Sequence, residues 1–222
     1  MYESSTWIRV GGVCGIIFVI LVLVMVFAGG GPPPAVDASG KDVAAHFAGG
    51  GAKVSYAAAV MAAPFVPWFF TTLTLVLWTR SRDRAYAATG LVAITLAWSI
   101  LTAGQVLVHS ALVYGQLDES TAHAFNVASY HESDGAQLGT VAATIAYGIV
   151  QSRMAGLWRW VGYLAFLVAL LDAITFLTSV SNGPAKSVGL FGFVGFLLWV
   201  LLTAILQIWR GPQVAQKQLL AT

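Results

Sequence analysis

The chain has 222 residues, 58% of them hydrophobic and 9% charged, with a net charge of +2; an ordinary soluble domain is about 45–50% apolar and about 25% charged. A mean hydropathy of +0.80, with 8 Trp and 12 Phe, leaves too little polar surface to cover a water-soluble globule, which excludes disordered, coiled-coil and nucleic-acid-binding readings. The single cysteine, Cys14, rules out an internal disulfide framework and a cysteine-only metal site, and its apolar neighbours fit a small buried side chain.

Crossing about 30 Å of hydrocarbon takes roughly 20 mostly apolar residues. Six stretches meet that test: 8–28, 55–78, 86–114, 133–151, 160–180 and 188–209. Backbone groups in lipid must bond within their own segment, and continuous apolar runs do not match the alternation of a barrel. The expectation is therefore an all-α, polytopic membrane helix bundle of six transmembrane helices, forming one transmembrane domain over 1–222. Lys and Arg set its orientation. With the N-terminus in the cytoplasm, the inner side carries Arg9, Arg80, Arg82, Arg84, Arg153, Arg159, Arg210 and Lys217, leaving Lys41, Lys53 and Lys186 outside. Both termini are then cytoplasmic. Asp37, Asp42, Asp118, Glu119, Glu132 and Asp134 fall outside, and Trp78, Trp158, Trp160 and Trp209 mark the inner boundary. The first run ends in Phe27-Ala28-Gly29, as a signal peptide can, but it is long for one and reads as a retained span.

The outer loop 29–54 opens with glycines and prolines and passes a second glycine run at Gly49 to Gly51. Between them, Ser39 with Asp42 has capping-box spacing, and Val43 with Phe47 gives one apolar side, so a short amphipathic helix over Ser39 to Phe47 is expected across the outer mouth. Pro64 and Pro67 remove two backbone donors from the second span and predict a kink. Gly11, Gly12 and Gly15, and again Gly189, Gly192 and Gly195, let backbones approach closely as packing or dimer faces. Pro212 is expected to stop the last helix. No internal repeat, P-loop, dinucleotide fingerprint, nucleophile elbow or His-Glu-x-x-His motif is present.

Polar residues carry the functional signal. Thr95, Trp98, Thr102, Gln105 and His109 recur at intervals of three and four in the third span, which places them on one face. His123, Asn126, Tyr130, Ser133, Gln137, Thr140, Thr144, Tyr147 and Gln151 continue that rhythm and predict one long fourth helix from about residue 120, extended beyond the outer face by about three turns. Asp172, Thr175, Ser179 and Asn182 make a third stripe. Asp172 is the acid deep in hydrocarbon, about 12 residues or about 18 Å inside its span, where an ionisable group is a functional hypothesis by default. His131 and Asp134 share a face at the outer boundary, and His109 enters at a similar depth, so these three are candidate ligands for zinc or a transition metal, with His46 and His123 above.

Pro32-Pro33-Pro34, the Asp42-Val43-Ala44-Ala45-His46-Phe47 stretch and the arginine turns Arg80 to Arg84 and Arg153 to Arg159 give the chain a pattern that resembles uncharacterised bacterial six-span integral membrane proteins. The resemblance implies a multi-pass protein of the bacterial plasma membrane and brings no activity with it.

The leading expectation is an outward-facing polar pocket lined by Gln105, His109, Tyr130, Asp134, Gln137 and Asp172. The protein would bind a small or amphiphilic ligand there, or act as an accessory subunit of a larger membrane complex, and it could form a homo-oligomer. No cofactor and no nucleic-acid partner are predicted; the partners are the lipid bilayer and a lipid, quinone or other small molecule. An alternative is a metal-dependent oxidoreductase or hydrolase at the outer leaflet, with His109, His131 and Asp134 as ligands and Glu132 as general base. A second is a proton-coupled transporter using Asp172, for which inner span halves that read as almost wholly apolar leave no visible path.

Overall fold

A computed structural model describes residues 2–29, 34–78, 81–180 and 186–219; Pro32, Pro33 and Arg80 lie outside the described residues. The chain is all-helical, with no strand among the described residues. Its helices are α1 (Tyr2–Ala28), α2 (Gly40–Phe47), α3 (Gly50–Ala62), α4 (Phe65–Leu77), α5 (Ser81–Gly104), a π-helical turn (Gln105–His109), α6 (Ser110–Tyr114), α7 (Glu119–Ser152), α8 (Leu157–Val180) and α9 (Lys186–Leu219). Five stretches are long and apolar enough to cross a membrane: Ser5–Ala28, Gly50–Leu77, Asp83–Tyr114, Leu157–Thr178 and Gly189–Gly211. This is the pattern of a multi-pass membrane protein.

The fourth expected segment lies on α7, one unbroken helix whose first turn is capped by Asp118: Thr121 donates its N–H to Oδ1 at 3.0 Å and its hydroxyl to Oδ2 at 2.7 Å. These bonds hold the Asp118 carboxyl below its ordinary range. α7 is not among the five apolar stretches, because a polar residue recurs on every turn. Pro212 does not stop the last helix, as α9 runs through it to Leu219. A proline there removes one N–H, the partner of the Ile208 carbonyl, and α9 continues past it without that bond.

The chain divides into two compact units. The first comprises 1–19, 64–97 and 137–222. Its core gathers Phe69, Phe70, Tyr147 and Trp199, whose ring centroids lie 4.8 to 6.2 Å apart. The glycine stripes are internal packing faces. Gly11 and Gly15 of α1 rest on Thr72 and Phe69, and Gly189, Gly192 and Gly195 of α9 receive Thr175, Asp172 and Val168 of α8. Side chains one turn apart on α8 thus enter successive gaps on α9, a close approach that a Cβ at Gly192 would block most directly. Arg153 closes the α7 end of this unit, donating to Asp83 at 2.7 Å with its guanidinium 5.2 Å over the Tyr86 ring.

The second unit comprises 20–63 and 98–136. The expected loop helix is present as α2, capped by Ser39: Asp42 N–H donates to Ser39 Oγ at 3.1 Å, and that hydroxyl donates to the Asp42 carboxylate at 2.7 Å. Its apolar side, Val43 and Phe47, is buried with Ala52, Leu112, Val113 and Ala122. The proline break falls where sequence places it, between α3 and α4. Without an N–H on Pro64 the Val60 carbonyl takes the Ala63 N–H at 3.3 Å, and without one on Pro67 the Ala63 carbonyl takes the Trp98 indole at 3.2 Å.

Candidate functional site

The residues singled out by sequence fall into both units. In the first, Asp172 on α8 is buried, and its carboxylate accepts a hydrogen bond from the Gln137 amide on α7. Its Oδ1 lies over Gly192, where a Cβ would come within 2.4 Å. Below that pair the α7 stripe continues as bonded polar groups. Tyr147 shares a hydrogen bond with Thr74 at 2.9 Å. Gln151 accepts from the Trp199 indole at 3.0 Å and donates to Thr203 at 3.3 Å, and Thr72 donates to Gln207 at 3.2 Å. All of these side chains are buried. The span halves that read as almost wholly apolar therefore hold a column of amides and hydroxyls. Sequence spacing places Tyr147 and Gln151 on the α7 stripe but misses the column, because their partners Thr74, Trp199 and Thr203 lie on other helices.

In the second unit the α7 stripe does something simpler than line a wall. His123 Nδ1 lies 2.9 Å from the Ala38 carbonyl, and Asn126 and Tyr130 donate to the carbonyls of Ala35 and Pro34, each at 2.9 Å. Three side chains spaced three and four apart thus hold down the segment leading into α2, a turn closed by the Ala38 N–H donating to the Ala35 carbonyl at 3.0 Å, and the Tyr130 hydroxyl is engaged there. Burial and the Asp37 carboxylate push that hydroxyl's pKa up. His131 is mostly exposed, with Nδ1 3.8 Å from Asp134 Oδ2 on the next turn. Among the described residues no group of three or more His, Cys, Asp or Glu side chains converges as a ligand set. The side chains of Gln105 and Ser179, and all of Asn182, lie outside the described residues.

Glu132 is the residue whose environment sequence misjudges. Its position at the outer boundary suggests a solvated rim, yet both carboxyl oxygens are shut off from water and neither has a hydrogen-bond partner. The carboxyl fills the space a Cβ at Gly104 would occupy, with Oε2 1.5 Å and Oε1 2.2 Å from that point. Glycine is thus the residue that lets the acid in. Burial pushes the Glu132 carboxyl up to about 7 from an ordinary value of 4.5. Gly104 also leads into the π-helical turn Gln105–His109, an irregularity that recurs at functional sites. His109 ends that turn. Its ring approaches the Gly104 backbone and packs edge-on against Phe47 with centroids 6.1 Å apart, while Nδ1 is buried without a partner. Two unsatisfied polar side chains therefore meet the same glycine, one from α7 and one from the π turn. Sequence carries no signal for this turn, because Gln105 and His109, four apart, fit ordinary α-helical spacing.

The fold thus defines a multi-pass, all-helical membrane protein with a shielded acid set against a π-helical turn. Comparison with protein-family models, with curated proteins and with solved structures finds no match to the chain.

Proposed function

We propose that this is a six-span protein of the bacterial plasma membrane that binds a small or amphiphilic ligand from the outer side, with Glu132 and His109 as its polar contacts. The observation that carries the binding reading is the Glu132 carboxyl, with two shielded oxygens and no partner for either. Buried polar groups are ordinarily satisfied, and one left open in a native fold calls for an explanation such as a bound molecule. Gln105 and Asp134 belong to the same two stretches of chain as these contacts. Native mass spectrometry of untagged protein in mild detergent tests this: wild type retains a small molecule or lipid that Glu132→Gln loses. Equal occupancy in both proteins, or no occupancy together with no uptake of an added amphiphile by wild type, overturns the reading.

The sixth crossing in this reading is α7. Its polar side chains at Gln137, Tyr147 and Gln151 are paired with groups of the same unit, while Leu138 and Ile145 are exposed. A helix whose polar face is satisfied by protein can cross a bilayer at a hydropathy that an isolated helix could not. Replacing Cys14 with Ser and introducing Glu119→Cys or Ala155→Cys tests it with a membrane-impermeant maleimide. The two sites label from opposite sides if α7 crosses and from the same side if it does not.

A second reading, proton-coupled transport through Asp172, is supported by the polar column of Tyr147, Gln151, Thr203 and Gln207, which supplies groups for a path where the sequence showed none. Asp172→Asn would abolish pH-driven uptake in vesicles under that reading and leave it unchanged otherwise.

A further inference from the structure

The chemistry around Glu132 also specifies the kind of group it would take. The unit that holds it contains no arginine, and its two lysines are placed elsewhere: Lys53 lies 6.0 Å over the Tyr114 ring, and Lys41 is on the exposed side of α2. Of its three other histidines, His46 packs edge-on against Phe47 with centroids 5.1 Å apart, His123 bonds the Ala38 carbonyl and His131 faces Asp134. No described cation is bonded to the shielded acid, so a ligand that takes its ionised form supplies both the positive charge and the hydrogen-bond donors.

Resting on the ligand-binding reading above, we propose that Glu132 is the acceptor for a primary ammonium group borne by an amphiphile, with His109 Nδ1 as a further acceptor. An ammonium has three N–H donors and no acceptor. It finds two unpartnered carboxylate oxygens set against Gly104 and, on the His109 ring that reaches the Gly104 backbone, the unpartnered Nδ1. A hydroxyl head would offer one donor and no charge. A divalent cation would find only two protein side chains, fewer than its usual ligand set. The surroundings fit an amphiphile: Phe47 closes over His109, and Val106 and Leu107 of the π turn are exposed apolar surface for a chain to lie on. An aminophospholipid headgroup and a free long-chain amine share this chemistry.

The test titrates dodecylammonium into the purified full chain in maltoside detergent and follows calorimetry and thermal unfolding. Saturable binding is expected, at least tenfold tighter than for dodecyltrimethylammonium, which carries the charge without a donor; this comparison needs no variant. Glu132→Gln is expected to weaken dodecylammonium binding at least tenfold, and His109→Gln several-fold. Equal binding of the two amphiphiles, or no effect of Glu132→Gln on a folded protein, overturns the proposal. Nanodiscs of phosphatidylethanolamine against phosphatidylcholine separate the sources: protection of the site by the former assigns the lipid headgroup, and binding of the free amine alone assigns a soluble amphiphile. A co-purified molecule that lacks an amine and is lost on Glu132→Gln overturns the ammonium assignment while the ligand-binding reading stands. Wild type that retains nothing and takes up no dodecylammonium overturns both.

Discussion

Trp98 donates its indole N–H to the carbonyl of Ala63 at 3.2 Å, and it does so because Pro67, four residues after Ala63, has no N–H to offer. A carbonyl left open in an apolar surrounding costs about 1–3 kcal/mol. Trp98→Phe is therefore expected to destabilise the protein by about that amount in thermal or denaturant unfolding. Pro67→Ala restores the helical donor, so the cost of Trp98→Phe should shrink in that background. Costs that simply add in the double variant would show that the indole is not standing in for the missing amide.

That pairing marks where sequence was informative and where it was not. Proline chemistry foretold a break, Ser39 with Asp42 foretold the capped α2, and the polar rhythm from His123 to Gln151 foretold one long helix, since each is a local rule acting on neighbouring residues. What replaced the lost bonds was not legible, because Trp98 lies far along the chain from Ala63. The same limit applied to the site. Tyr130 and Gln137 sit on one helical stripe, but one bonds the Pro34 carbonyl and the other the Asp172 carboxylate, and spacing alone does not distinguish them. Glu132 lies off that stripe altogether, and only the missing side chain of Gly104 reveals where its carboxyl goes.

Gly192 faces Asp172 so closely that a methyl group there would come within 2.4 Å of Oδ1. Gly192→Ala should destabilise the protein by about 1–3 kcal/mol through overpacking. Asp172→Ala removes the obstructing oxygen, so adding it to Gly192→Ala should recover part of the loss. Unfolding midpoints of the two single variants and the double variant decide this, and strict additivity would mean that the helices shift to make room.

Gln151 is held at both ends, accepting from Trp199 and donating to Thr203. Gln151→Leu keeps the bulk but strands the indole N–H and the threonine hydroxyl, at about 1–3 kcal/mol for each buried group left unsatisfied. Gln151→Leu with Trp199→Phe should be milder than Gln151→Leu would suggest, because the stranded donor is gone. An unfolding cycle on the four proteins measures the coupling, and a coupling of zero would mean that the indole finds another acceptor.

Glu132 gives the fold a pH dependence whose sign follows from its environment. Burial raises the carboxyl from 4.5 to about 7, so the folded chain favours the protonated form. Its contribution to stability is then fullest below the unfolded value of 4.5, declines as pH rises toward about 7, and is level above that. Glu132→Gln mimics the protonated acid and cannot titrate, so its unfolding temperature should gain on wild type as pH is raised from about 5 to about 8. Other titrating groups are common to both proteins and cancel in the comparison. Parallel curves across that range would place the carboxyl in water, and the shielded site with it.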